Sequence, residues 1–427
     1  MKLYKNPSPE NWKSLCYRPQ LELEFLDGVV KNILTRVQKS GDSALRELTK
    51  QFDKIDIDEL QVSEQEIADA ESTIPLELKS SIQSAARNIE KFHAAQQPTS
   101  SKIETTAGVT CWRKAVAIDT IGIYIPGGTA PLFSTVLMLA IPAKLAGCRE
   151  VILCSPPDLS GKINPAILYA AKLTGVTKIF RVGGAQAIGA MAFGTESIPK
   201  VFKIFGPGNQ FVTKAKQLVS NEGIAIDLPA GPSEVLVLAD ESANVSFVAA
   251  DLLSQAEHGT DSQVMLIVTN KLILENVQGE IQKQIATLPR KEIAEKALLN
   301  SRAIYFDNVN TAVGFTNTYA PEHLIINTKN ADELAERIVN AGSVFIGNYS
   351  PEAAGDYASG TNHTLPTNGY ATAYSGVSLE SFIKYITFQK LTEEGIQNLG
   401  PIVERMAEAE GLEAHKRAIS IRLNQLK

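Results

Sequence analysis

The sequence predicts an α/β protein with two parallel-sheet units, a short N-terminal arm and a largely helical C-terminal tail. Three observations lead there. Apolar strand-like runs recur through the middle third, each closes on glycine or proline, and helix-periodic segments fill the intervals. Strand, glycine turn and helix in that order mark βαβ units and a parallel sheet.

The N-terminal arm is assigned to residues 1–20. Ile74–Ala95 has the pattern of a long amphipathic helix, with Thr73 as its N-cap and Pro75 in its first turn. His93 lies on that helix and is expected at its surface or half-buried. The first strand series is Ile121–Ile125, Val151–Cys154, Lys178–Val182 and Val201–Phe205, spaced 30, 27 and 23 residues apart. It ends in Pro126-Gly127-Gly128, Pro156-Pro157, Gly183-Gly184 and Gly206-Pro207-Gly208, with helices at Ser134–Ala146, Asn164–Leu173 and Gln210–Val219. Ligands bind such sheets beyond the carboxyl ends of the strands, where these turns lie. In the second series Phe247–His258 is a predicted helix, and Gln263–Val268, Ala303–Phe306 and Leu324–Ile326 are predicted strands. Ala331–Ala341 follows as a helix and Ser343–Ile346 as a strand. Residues 21–120 with 240–373 are grouped as the first α/β unit, and 121–239 as the second. Leu365–Ser378 is rich in Gly, Thr, Ser and Tyr and forms a linker to the tail, residues 374–427. A tail that short cannot bury a core alone, so it docks on the body or on another subunit.

Composition excludes several classes. A net charge of −6 over 427 residues, with no stripe of Lys and Arg, argues against nucleic acid as the main partner. The longest apolar stretch, Val136 to Ala146, is broken by Pro142 and Lys144, so no membrane span is expected. The N-terminal residues lack the apolar core of a signal peptide. Cys16, Cys111, Cys148 and Cys154 make no Cys-x-x-Cys pair, which fits a reduced, cytoplasmic protein.

Four of the five histidines sit in segments suited to chemistry: His258, His323, His363 and His415. Imidazole is the commonest metal ligand and moves protons near neutral pH. Gln255 and His258 are three apart on a predicted helix and share its face, which suits a metal pair or a histidine facing the helix dipole equally. Glu322-His323 at a loop-to-strand junction offers a proton relay, or a surface carboxylate beside a strand-capping imidazole. Asp356 precedes a loop rich in Gly, Ser, Thr and Asn and is read as a ligand or as a turn aspartate. Glu410 and His415 bracket Gly411, which ends one helix before the next begins. Gly183-Gly184-Ala185-Gln186 and Gly206-Pro207-Gly208-Asn209 suit either backbone binding of phosphate or ribose, or plain tight turns; no Gly-x-Gly-x-x-Gly is present.

The ordered set is far more specific than its parts. Tyr-Ile-Pro-Gly-Gly from Tyr124, Arg-Val-Gly-Gly-Ala-Gln-Ala from Arg181 and Phe-Gly-Pro-Gly-Asn from Phe205 come first. Ala-Gly-Pro-Ser-Glu from Ala230, Ser-Gln-Ala-Glu-His-Gly from Ser254 and Ala-Pro-Glu-His-Leu from Ala320 follow. Gly-Asp-Tyr-Ala-Ser-Gly-Thr-Asn-His from Gly355 and Glu-Gly-Leu-x-Ala-His from Glu410 complete it. Over nearly its whole length the chain resembles the histidinol dehydrogenases. The resemblance implies oxidation of L-histidinol through the aldehyde to L-histidine, with two NAD⁺ and one Zn²⁺ per subunit. It implies two incomplete Rossmann-like domains in a homodimer whose active sites are shared. Metal ligands fall on Gln255, His258, Asp356 and, from the partner subunit, His415. His323 becomes the general base and Glu322 the residue that activates water. Ser233 and Glu410 join the ligands and His323 as substrate contacts, while Tyr124, Gln186 and Asn209 contact NAD⁺. His363 lies near the site by motif, without a chemical role. A related zinc- and NAD-linked dehydrogenase for another small polar alcohol is the alternative, and retention of Glu410 and His415 argues against it.

Overall fold

The computed structural model describes residues 1–18, 23–127, 131–228 and 231–426. In chain order its strands are β1 Lys2–Lys5, β2 Lys102–Thr106, β3 Val109–Ala117, β4 Thr120–Tyr124, β5 Glu150–Ser155, β6 Lys178–Arg181, β7 Lys203–Phe205, β8 Ala225–Ile226, β9 Glu234–Ala239, β10 Gln263–Val268, β11 Arg302–Tyr305, β12 His323–Asn327, β13 Ser343–Ile346 and β14 Ile383–Leu391. Five of them form a parallel sheet in the order β6-β5-β4-β7-β8. Six form a second parallel sheet, β1-β11-β10-β9-β12-β13. A third, antiparallel sheet has the order β14-β3-β2.

Both parallel sheets are covered on two faces. Every residue of β9 and β10 is buried, which explains why these strands are nearly continuous apolar runs and not alternating ones. Ile325 and Val237 face one apolar cluster with Leu252 and Val277, while Leu236 and Ile326 face another with Phe306 and Phe315. The five-stranded sheet is sandwiched the same way, with Ile123 and Leu139 on one side and Ile204 and Ile188 on the other. Local chemistry sets the helix ends. Asn164 caps Pro165–Thr174 by accepting from Ala166 N at 2.9 Å, and Gly175 closes it in the left-handed region at φ 82°.

Several elements differ from the sequence expectations. Glu234–Ala239, which falls within the expected second unit of residues 121–239, instead lies between β10 and β12 in the six-stranded sheet. The helices Leu23–Phe52, Glu64–Thr73 and Leu76–Ala94 pack on the helices of the five-stranded sheet, although residues 21–120 were grouped with the other unit. Thr73 does not cap the long helix: it ends the preceding one, its hydroxyl on Ala70 O, and Pro75 stands at the cap. His93 is fully buried, with Nδ1 on Ile89 O at 3.0 Å. The helix after β12 stops at Ala335. The tail carries, after a short 3-10 turn at Leu379–Phe382, the nine-residue strand β14, which pairs along all of β3 before the helices Glu393–Ala409 and Glu413–Gln425. Its register is set by β3, a partner some 270 residues upstream, so local periodicity carries little sign of it.

The two parallel sheets meet at opposite ends. The five-stranded sheet offers the carboxyl ends of its strands, where Pro126-Gly127 and Gly206–Asn209 follow β4 and β7. The six-stranded sheet offers its amino ends, where Ser233 and Glu322 precede β9 and β12. Rule-based placement at carboxyl ends therefore holds for only one of them.

Candidate active site

A cavity of about 330 Å³ occupies the cleft between these ends, lined by Ser233, His258, Glu322, His363 and the Gly206–Asn209 turn. Glu322 is placed by a forced turn: Ala320 adopts φ 50°, Pro321 follows, and the chain enters β12 directly at His323. The adjacent carboxylate and imidazole thus approach each other, with Glu322 Oε2 at 3.5 Å from His323 Nδ1. Both are almost fully buried.

The neighbouring strand fixes both groups. Glu234 donates its backbone N–H to Glu322 Oε2 at 2.8 Å, and its carbonyl lies 3.3 Å from His323 Nδ1. A carbonyl and a carboxylate only accept, so the ring donates from both nitrogens when it is protonated, and the Nε2 proton facing Asp356 is the one it exchanges if Nδ1 keeps its hydrogen on Glu234 O. Nε2 lies 3.3 Å from Asp356 Oδ1. Burial raises the Glu322 carboxyl above the usual carboxylate range. Burial alone would lower the His323 pKa, but Glu322, Asp356 and Glu352 surround the ring and raise it well above its ordinary value. Asp356 shows the reciprocal effect: burial opposes ionisation, yet the His323 hydrogen bond and nearby imidazoles hold its pKa below the usual range.

Gln255 and His258 come from the end of the helix Val245–Ala256. His258 lies just past the helix, its N–H on Gln255 O at 3.3 Å, so the two do not share a regular helical face as expected. Gln255 is buried, and with its amide nitrogen turned to donate it reaches Glu352 Oε1 at 3.1 Å. Ser254 Oγ also donates to that oxygen at 2.8 Å. Burial pushes the Glu352 carboxyl up to about 8 and that of Asp251 up to about 7. Asp356 belongs to a short helix, Glu352–Tyr357, and not to a turn. His363 closes this side: Nδ1 meets Asp356 O at 2.8 Å and Nε2 meets Thr135 Oγ1 at 3.0 Å. His258 is exposed at the mouth of the cleft and its ring has no hydrogen-bond partner among the described residues; desolvation by the surrounding protein lowers its pKa, favouring the neutral, ligating form.

A second cavity, about 540 Å³, is lined by Tyr124, Gln186 and Asn209 and shares Pro126, Gly127 and Asn209 with the first. Tyr124 accepts from Gly184 N at 3.0 Å, fixing the turn that starts the helix Gly184–Phe193. Gly206 is required by its backbone: φ is 124°, and a Cβ there would lie 2.1 Å from Tyr124 O. Asp227 and Lys216 pin this turn, accepting from Gly206 N at 2.8 Å and donating to Gly206 O at 2.9 Å.

The structure therefore brings Ser233, Gln255, His258, Glu322, His323 and Asp356 together, and sets Tyr124, Gln186 and Asn209 around an adjoining space. Glu410 and His415 stand apart, exposed on the tail, whose last helix packs on the preceding one. Among the described residues no three His, Cys, Asp or Glu side chains converge as a metal centre. Sequence reasoning passed over Arg18, Glu234 and Glu352. Arg18 binds Glu234 through two nitrogens at 2.8 and 2.9 Å and Tyr319 O at 2.6 Å. One signal was available: β9, β10 and β12 each open on a polar residue, Glu234, Gln263 and His323, before an apolar run. A polar group at the mouth of a buried strand needs a partner there.

Two parallel sheets around a cleft holding a buried carboxylate–imidazole pair, with an adjoining glycine-turn cavity, have the form of an α/β enzyme. The family model for histidinol dehydrogenase matches residues 16–423. A histidinol dehydrogenase of Bacteroides thetaiotaomicron is 60% identical over 427 residues, covering 100% of both chains. One from Vibrio vulnificus is 53% identical over 99% of this chain and 98% of its own. The crystal structure of histidinol dehydrogenase from Elizabethkingia anophelis superposes with a TM-score of 0.97 at 58% identity, over 100% of this chain and 98% of that one. The chain belongs to the histidinol dehydrogenase family, oxidoreductases of histidine biosynthesis. No helix among the described residues is long and apolar enough to cross a membrane.

Proposed function

We propose that the protein oxidises L-histidinol through L-histidinaldehyde to L-histidine, using two NAD⁺ in turn and a bound Zn²⁺. The observation that carries this reading is the Glu322–His323–Asp356 chain at one cavity that shares a wall with a second. His323 takes the hydroxyl proton at Nε2, since Nδ1 is committed to the Glu234 carbonyl. The imidazolium so formed is stabilised by Asp356 on the same nitrogen and by Glu322 beside the ring. Glu322 has one oxygen anchored by Glu234 N, which leaves the other to draw a proton from water attacking the aldehyde. Burial keeps that carboxylate basic enough for the task. The aldehyde stays bound in the cleft between steps.

The donors at hand suit zinc: the neutral imidazole of His258, without a ring partner among the described residues, the Asp356 carboxylate and the Gln255 amide oxygen. His415, exposed on the tail, would supply the fourth ligand to a neighbouring subunit, and Glu410 would hold the substrate's polar head there. When bound, the ion orients the alcohol and polarises its oxygen. Tyr124, Gln186 and Asn209 line the space for NAD⁺, and Ser233 contacts the substrate. The exposed tail supports a homodimer with shared sites, and the cytoplasm is the proposed compartment.

The test is NADH formed per L-histidinol consumed, before and after chelation. Two per substrate, lost with the metal and restored by zinc, is expected. One per substrate would remove Glu322 from the second step, and none would end the dehydrogenase reading.

A further inference from the structure

The cavity around Tyr124, Gln186 and Asn209 has one charged side chain among its described lining residues, Asp53. Its carboxylate is poorly provided for. Oδ2 is buried without a hydrogen-bond partner among the described residues, and burial pushes its pKa up to about 6. Asp53 also follows directly on the carboxyl end of the helix Leu23–Phe52, with its N–H on Thr49 O at 2.8 Å. A negative charge there opposes the helix dipole. The adjacent lysines do not relieve it: Lys50 pairs with Asp56 and Lys54 donates to Gln51 O.

A charge kept at such a cost, with no partner among the described residues, suits a ligand that brings donors. The rest of the lining is apolar or neutral, including Val29, Ile33, Phe52 and Phe211, which suits the flat face of a base. On the proposed function, hydride is exchanged at the end shared with the catalytic cavity, at Pro126, Gly127 and Asn209. The remoter part therefore receives the adenosine half. We propose that Asp53 accepts hydrogen bonds from the ribose hydroxyls of that half, and so makes the cavity select NAD⁺ and refuse a nucleotide carrying a 2′-phosphate. A carboxylate and a ribose diol match as acceptor and paired donors, whereas a phosphate monoester would meet a like charge. Because Asp53 precedes the glycine turns in the chain, a search downstream of those turns does not find it.

This inference rests on the dinucleotide reading of the cavity, and the experiment separates the two. KM and kcat with NAD⁺ and with NADP⁺ are measured for the zinc-loaded protein and for Asp53→Asn and Asp53→Ala, with binding of NADH and NADPH followed by fluorescence. Asp53→Asn is expected to raise KM for NAD⁺ about tenfold or more, the range for losing a charged hydrogen bond, with kcat within about twofold. Asp53→Ala is expected to narrow the NAD⁺ to NADP⁺ preference by about 100-fold as repulsion is lost with the hydrogen bonds. Thermal melting of the apo variants at or above the wild-type temperature shows that they fold. Unchanged KM and unchanged preference in folded variants would overturn the role of Asp53 while leaving the dinucleotide cavity standing. Wild-type protein that binds neither NADH nor NADPH would overturn both.

Discussion

Arg18→Met tests the support beneath the acid–base pair. Arg18 and Glu234 are 8% and 1% exposed, and their contact has two points. The guanidinium also lies 3.7 Å from the centroid of the Tyr319 ring. Methionine keeps much of the packing and removes the charge, leaving Glu234 as an uncompensated buried carboxylate. Breaking a buried pair from one side costs about 3–5 kcal/mol, against about 0–1 kcal/mol for a surface pair. Because Glu234 holds Glu322 through its N–H and His323 through its carbonyl, kcat should fall along with stability. Urea denaturation at fixed protein concentration, near neutral pH, measures the first, and turnover on L-histidinol the second. The double variant Arg18→Met with Glu234→Met should recover at least half of the stability loss, since both charges are then gone. A single-variant loss below about 1 kcal/mol, or a double variant as unstable as the single, would refute the argument.

His323→Asn should lower kcat by about 10²–10⁴-fold, the range for a lost general base, while Glu322→Gln should stop at one NADH per L-histidinol; stopped-flow absorbance distinguishes them. Gly206→Ala should destabilise the protein and weaken NADH binding, because a Cβ at φ 124° meets Tyr124 O; calorimetry and fluorescence titration read both. Apo-protein stability should respond to Asp53 with a definite sign. Its folded pKa, about 6, exceeds its ordinary value, so the native state binds the extra proton and the contribution to stability falls as pH rises from about 4 to about 6. Melting curves of wild type and Asp53→Asn should therefore diverge across that window, the variant being relatively more stable on the alkaline side.

The parallel sheets were legible because βαβ units announce themselves locally: an apolar run, a glycine, then a helix. Val151–Cys154 and Lys178–Val182 were placed to within a residue or two for that reason. What the pattern does not carry is which sheet a strand joins. Glu234–Ala239 has the same apolar character as its predecessors, and only its partners at 263–268 and 323–327 decide its home. The antiparallel sheet was missed because β2 and β14 are mostly exposed, so no apolar face marks them. Among the site residues, the motif-borne ones stood out by residue type. Arg18 did not, since an isolated arginine in an N-terminal arm looks like solvent-facing charge until its partner, 216 residues away, is seen.

The pairing of β1 with β11 has a consequence for how the chain is made. Leu3 lies opposite Ala303, so β1 has no partner in this sheet until about 300 more residues have left the ribosome. At roughly 5–20 residues per second that is a wait of roughly 15–60 seconds. The five-stranded sheet, contained between residues 120 and 226, is complete long before then and can close around its own core. The six-stranded sheet is the slow half, gathering residues 2–5 and 234–346 into one layer. An exposed N-terminal strand of only four residues, with lysine at both ends, is poorly suited to pairing with another nascent chain during that interval.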